Sequence, residues 1–247
     1  MVNKILAEEL TGKITLGGAK TFDKVLYLYL SPDRKYLLYS HSATTLLNHP
    51  EVKKPLTLSS KGISFFLQSG VIPTPYTIYQ EVYNLSFGDY ATIFLQDGKI
   101  NLEFSHEFPY PSFKRIKGKK ADRDHILFLL VQSIFKKIDP TKEIFLFQSV
   151  GKDSNTILLA LAEAGLKDQT TALTLALPDS KKDESELASK IAKKLGFKHV
   201  KLYLPPKITS TEIDILEKYF SSISFPCTDR ASLAYPIYQL QIDFFGK

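Results

Sequence analysis

From about residue 123 onward the chain alternates helix-length stretches with short apolar strands, and that alternation limits the topologies open to it. An apolar helix from about Arg123 to Ile138 ends at the break of Asp139 and Pro140. A buried strand over Glu143 to Phe147 follows, then a helix over Thr156 to Ala164, with Ile157, Leu158, Leu161 and Ala164 on one face and Gly165 as its stop. The next strand is Thr170 to Leu177. A helix over Glu184 to Leu195 has Leu187, Ile191 and Leu195 spaced by four, and a strand over His199 to Leu204 precedes a capping box at Thr209 to Glu212. Strands separated by whole helices need crossover connections, which predicts an α/β domain with a parallel sheet flanked by helices.

The front of the chain has a different grammar. Val25 to Leu30, a turn at Ser31 to Arg34, and Tyr36 to Tyr39 read as strand, turn, strand. Tyr90 to Leu95 and Ile100 to Phe104 read as a second pair, joined through Asp97 and Gly98, a dipeptide suited to a tight hairpin. Ser59 to Gln68 reads as a short helix ending at Gly70, with Pro73 and Pro75 forcing extended chain after it. The result is a small, largely antiparallel α+β region. Lys114 to Arg123 is basic and lacks apolar periodicity, so it reads as a solvated linker rather than a phosphate-binding arm. The expected division is an α+β region over 1–113, a linker over 114–124 and an α/β domain over 125–247.

Composition narrows the function classes. With 44% hydrophobic residues in 247, the chain can bury a sizeable core. The excess of 32 basic over 26 acidic residues, a net +6, suits anionic ligands such as nucleotides and is too small to argue for nucleic acid. Cys227 is the only cysteine, which excludes an internal disulfide and fits a reducing compartment; no Cys/His cluster has zinc-ligand spacing. Glu8 and Glu9 interrupt what would be the apolar core of an export signal, and no apolar run approaches the roughly 20 residues needed to span a bilayer. A soluble, cytoplasmic protein with no membrane and no nucleic-acid partner is expected.

The chemistry concentrates in Ser149, Val150, Gly151, Lys152, Asp153 and Ser154, at the carboxyl end of the first parallel strand and the entrance of a helix. Ligands bind at such places in open α/β sheets. The helix amino terminus offers free N–H groups and a positive dipole end, Gly151 permits close approach of an anion, and Ser149 and Ser154 add hydroxyl donors. Such a turn suits phosphate. Asp153 is compatible with phosphates when Mg²⁺ bridges them, and the alternative is that it is the helix N-cap.

This loop resembles the pyrophosphate loop of the N-type ATP pyrophosphatases, Ser-Gly-Gly-x-Asp-Ser, with Val150 in place of the first glycine, a variant that the small subunit of ATP sulfurylase also carries. The surroundings resemble the asparagine synthetase family. The segments that carry the resemblance are Leu38 to Pro50, Ile63 to Tyr79, Leu85 to Asp89, Asp183 to His199 and Phe225 to Tyr238, kept in order between about Leu26 and Leu240. The resemblance implies a PP-loop fold of the adenine nucleotide alpha hydrolase type, ATP and Mg²⁺ as cofactors, and adenylation of a small-molecule carboxylate for attack by ammonia or an amine. Two departures matter. The chain begins Met1, Val2 where glutamine-using members have a nucleophilic cysteine, so an amidotransferase-like but truncated front region without glutamine hydrolysis is expected. It also ends before the family's second acidic glycine motif, so a partner chain supplying missing synthetase elements is expected for complete turnover. A non-catalytic nucleotide-binding paralogue is the alternative, and a sulfur-metabolism adenylyl transferase a third.

The resemblance makes Ser149, Gly151, Asp153, Ser154, Thr174 and Leu175 nucleotide contacts, with Asp153 on the metal and Thr174 and Leu175 on the adenine strand or simply in the core. Lys152 reads equally as a phosphate contact stabilising developing charge or as a solvent-facing lysine. Arg230, near Asp229 and Ser232, reads equally as a carboxylate clamp or as half of a loop ion pair. Glu184 reads as a helix-start residue rather than a nucleotide contact. His41, His49, His106 and His125 share no spacing with acids or one another and are assigned no catalytic role.

Overall fold

The computed structural model describes residues 1–21, 24–109, 120, 122–176, 183–203 and 209–225. They form a mixed α/β protein in two units, Met1–Arg115 with Glu217–Leu233, and Ile116–Leu216 with Ala234–Lys247.

The first unit is built on two antiparallel sheets. One has the order β1-β4-β3-β5, from β1 (Asn3–Leu6), β3 (Leu26–Leu30), β4 (Tyr36–Ser40) and β5 (Val82–Leu85). The other has the order β2-β6-β7, from β2 (Ile14–Gly17), β6 (Asp89–Gln96) and β7 (Lys99–His106). Asp97 and Gly98, at φ 54° and 69°, make the β6–β7 turn with both central residues left-handed, as a two-residue hairpin requires. Alternation along these strands sends Leu28, Leu37, Leu85, Ala91, Ile93 and Ile100 into one core, while Tyr29, Leu38 and Val82 face a second core with Leu46 of helix α1 (Ala43–Leu47). Helix α2 (Ser60–Ser69) is N-capped by the Ser59 hydroxyl and ends at left-handed Gly70, so both ends fall where the capping residues put them.

The segment Glu217–Leu233 groups with the first unit, and Phe225 is its described core contact there. Its ring stacks on Tyr27 at 5.7 Å and lies 6.3 Å from Tyr79, within the second core of that unit.

The second unit holds a parallel three-stranded sheet in the order β10-β9-β8, from β8 (Ile144–Phe147), β9 (Thr170–Ala176) and β10 (Lys198–Tyr203). Ile144 pairs with Thr170 and Lys198 with Thr171 at the start of each ladder. Helix α4 (Lys152–Glu163) crosses from β8 to β9, and α5 (Ser185–Lys194) precedes β10. Both pack on the face that carries Ile144, Leu146 and Ala172, where Leu158, Leu161, Ala192 and Phe197 complete a core. Helix α3 (Arg123–Phe135) lies beside α4, and α6 (Ser210–Ser222) starts directly after Thr209.

Three expectations need correction here. Strand β8 is only half-buried, and Phe147 is exposed, because β8 is the edge of the described sheet. In α4, Ile157 points outward, and the buried face is Leu158, Ala160 and Leu161. In α5, Leu187 is 54% exposed, and the face against the sheet is the small-residue stripe Ser185, Ala188, Ser189 and Ala192. Small side chains let that helix approach the strands closely, and Ile191 and Leu195 then pack at its margin. The basic linker lies mostly outside the described residues. No described helix is long and apolar enough to cross a membrane.

Candidate functional site

The loop from Gln148 to Gly151 joins β8 to α4 within the second unit. Gly151 is the N-cap of α4, with φ −66° and ψ 155°, and provides no side-chain cap. Asp153 is therefore not the N-cap. It lies in the first turn, exposed, and its carboxylate has no hydrogen-bond or ion-pair partner among the described residues. Lys152 is also exposed, and its carbonyl accepts from the Thr156 hydroxyl at 2.7 Å.

The loop's own N–H groups are held by a small set of oxygens. Ser149 N–H donates to Ser154 Oγ at 3.2 Å, and Gly151 N–H donates to Ser149 Oγ at 3.0 Å. The two hydroxyls are 3.1 Å apart. Val150 N–H donates to Glu184 Oε2 at 3.3 Å, reaching across to the start of α5. Glu184 occupies the helix-start position, but its carboxylate does not cap its own helix; Asp183 Oδ1 takes Ser185 N–H at 2.9 Å instead. Glu184 thus stands at the helix start, and its carboxylate reaches the β8–α4 loop rather than an N–H of α5.

Beneath the loop runs a chain of hydrogen bonds whose direction can be worked out. Asn155 Nδ2 donates to the carbonyls of Gly151 at 2.8 Å and Ser149 at 3.2 Å, which fixes its amide and leaves Oδ1 as an acceptor. Gln148 Nε2 donates to that oxygen at 3.0 Å. Gln148 is buried at 4% exposure, and its Oε1 is a buried acceptor with no partner among the described residues. The Thr174 hydroxyl donates its single proton to the Gln148 carbonyl at 2.9 Å, so it accepts from His199 Nε2 at 3.0 Å. Burial, with Lys193 and Lys201 nearby, holds the His199 imidazole below its ordinary pKa against the opposing pull of Glu186, which suits a neutral ring protonated on Nε2. The Ser149 and Gly151 carbonyls are held by Asn155, and the Gln148 carbonyl is held by Thr174, which in turn accepts from His199.

Of the residues singled out from sequence, Ser149, Gly151, Lys152, Asp153 and Ser154 come together at this loop. Thr174 does not present its hydroxyl there, because that group is committed between β8 and His199. Leu175 packs with Leu173 and Leu202 on the opposite sheet face. Arg230, Asp229, Ser232 and Cys227 lie outside the described residues. Gln148, Asn155 and His199 escaped the sequence reading. The available signal was a glutamine closing an otherwise apolar strand, followed at the seventh position by an asparagine in the first helical turn.

His106, read as unrelated to any acid, is brought by the β6–β7 register directly opposite Asp89, with Nδ1 2.9 Å from Oδ1. Burial works to raise the Asp89 pKa, yet hydrogen bonds from His106, the Ser86 N–H and Thr74 outweigh it and hold the carboxyl below its ordinary range. This pair braces the second antiparallel sheet of the first unit. The first unit also has its own cleft of about 350 Å³, with Lys54, Thr44, Asn48 and Ser224 around Leu56 and Tyr79. Among the described residues no three His, Cys, Asp or Glu side chains are grouped to hold a metal ion. No protein-family model matches the chain and no curated protein matches it, so the chemistry of the site rests on its own residues.

Proposed function

We propose that the chain is an asparagine synthetase-like, PP-loop protein that binds ATP with Mg²⁺ and adenylates a small-molecule carboxylate for attack by ammonia or an amine, with a partner chain contributing where turnover needs it. The observation that carries this reading is the loop at the carboxyl end of β8. There a helix of 12 residues starts without a side-chain cap, and two serine hydroxyls and an exposed carboxylate surround its first turn. An uncapped helix start with a positive dipole end favours an anion. Asn155 supports the same use: it ties down the Ser149 and Gly151 carbonyls, and the first-turn N–H groups of α4 are the backbone donors offered to a phosphate.

The carboxylate of Asp153, exposed and without a partner among the described residues, fits a divalent cation, and Mg²⁺ bound there would offset charge on the phosphate oxygens. In the proposed reaction a carboxylate oxygen attacks the α-phosphorus, the bond to the bridging oxygen of pyrophosphate breaks, and an acyl adenylate forms. The amine then attacks the acyl carbon, losing a proton as AMP leaves. The role of the loop is to hold the pyrophosphate while negative charge grows on it, with Ser149, Ser154 and the α4 N–H groups as donors and Lys152 as a nearby cation.

The test is calorimetric titration with ATP, AMP and pyrophosphate, each with and without Mg²⁺, for the intact chain and for Asp153→Ala. Micromolar affinity, roughly 8 kcal/mol of binding free energy, is expected for ATP and pyrophosphate, with the Mg²⁺ enhancement lost in the variant. Release of AMP and pyrophosphate in the presence of carboxylates and ammonia would establish turnover. Absence of binding to every one of these ligands would remove the reading.

A further inference from the structure

The acid that occupies the loop is the feature that the proposed reaction leaves unexplained. Glu184 accepts from Val150 N–H although it stands 34 residues away and at the start of a different helix. The local alternatives for its carboxylate are taken. Asp183 already caps α5 at Ser185, and the next acid along, Glu186, pairs with Lys201. The backbone of Glu184 is helical, and its side chain makes no bond to its own helix end. An exposed glutamate is thus spent on the Val150 N–H, while the N–H groups on either side of it, those of Ser149 and Gly151, go to the hydroxyls of Ser154 and Ser149.

A carboxylate on a backbone N–H is a stand-in for an anionic oxygen, and one N–H cannot serve two anions well. A phosphate entering the loop must therefore either displace Glu184 or sit beside its charge. Like charges in direct contact repel, and the repulsion grows with the charge of the ligand. A metal-complexed polyphosphate carries less net charge and is repelled less.

We infer that Glu184 is a specificity-determining residue of the loop: its carboxylate, held on Val150 N–H, excludes free polyphosphate and selects the metal-complexed form. This rests on the anion-binding reading of the loop. Glu184 acts on the ligand's charge state and takes no part in bond making.

The test compares the intact chain with Glu184→Gln and Glu186→Gln, using calorimetry with pyrophosphate alone and with pyrophosphate plus excess Mg²⁺. Glutamine keeps a side-chain oxygen for Val150 N–H and removes only the charge, so the loop is preserved. Glu184→Gln is expected to bind metal-free pyrophosphate about tenfold or more tightly than the intact chain, with a change of less than about threefold for the Mg²⁺ complex. Glu186→Gln removes the same charge two residues along the chain, at a carboxylate that pairs with Lys201 and not with the loop, and should leave the ratio between the two ligands unchanged. Equal or weaker binding of metal-free pyrophosphate by Glu184→Gln overturns the inference while the loop reading stands. The same gain in Glu186→Gln also overturns it, since the effect would then be general charge rather than the contact. No binding of either form by any of the three chains removes both readings.

Discussion

The side-chain amide of Asn155 sits 2.8 Å from the carbonyl oxygen of Gly151, so the first turn of α4 closes back on the residue that starts it. The same amide group reaches Ser149 O, and its oxygen is held by Gln148, itself anchored to Thr174. The Ser149 and Gly151 carbonyls are thus held by one fixed amide.

Replacing Asn155 with Asp should therefore damage binding more than folding. An ionised carboxylate has no proton to donate to the Ser149 and Gly151 carbonyls and repels them. Pyrophosphate affinity is expected to fall about tenfold or more, with the melting temperature lowered by the loss of hydrogen bonds worth roughly 1–3 kcal/mol together. Affinity equal to that of the intact chain, measured by titration calorimetry, would show that the amide does not set the loop.

Gly151 gives a different contrast. Its backbone is extended at φ −66°, a conformation open to any residue, and an added Cβ would meet only Ser149 Oγ at 3.0 Å. Gly151→Ala should leave stability within about 0.5 kcal/mol, since the hydroxyl can turn aside, and should still weaken pyrophosphate binding by obstructing close approach. A large drop in melting temperature would instead make this glycine a structural requirement.

His199 predicts a pH dependence of stability. Its folded-state pKa lies below the ordinary histidine value because of burial first and the neighbouring lysines second. The unfolded chain therefore binds the proton before the folded one as pH falls. The contribution is present above the ordinary value and is lost as pH drops through the window beneath it. Chemical denaturation at about pH 7 and about pH 5 should show the intact chain losing stability relative to His199→Gln, which retains an N–H for Thr174. A difference that does not change with pH would contradict the assignment.

Gly62 is held by space. A Cβ there would lie 2.2 Å from the Thr77 carbonyl oxygen, against backbone that cannot simply rotate away. Alanine improves helix propensity by about 1 kcal/mol, yet Gly62→Ala should destabilise by about 1–3 kcal/mol net, because α2 would have to lift from its support. Denaturant titration that finds the variant more stable would mean that this approach is looser than the geometry indicates.

Much of the local structure was readable before folding. Ser59 and Gly70 bound α2, Asp97 and Gly98 make the β6–β7 turn, and the strand–helix alternation after residue 123 yields a parallel sheet, because each of these signals depends on backbone geometry within a few residues. The residues of the loop from Ser149 to Ser154 were legible for the same reason. They are contiguous, and their place between strand and helix follows from local pattern.

Packing and partnership were not legible. Periodicity put Leu187 on the inner stripe of α5, yet the sheet accepted Ser185, Ala188, Ser189 and Ala192, because close helix–strand approach rewards small side chains that a hydrophobic pattern undervalues. Asp89 met His106 only through strand register, and Phe225 returned to Tyr27 across most of the chain. At the loop, chain order alone supplied the donors. Which oxygen each donor finds was decided by the tertiary fold, which brought Glu184 to Val150 and tied Asn155 through Gln148 and Thr174 to His199, since hydrogen-bond partners from separate strands and helices meet only once the sheet has set their spacing.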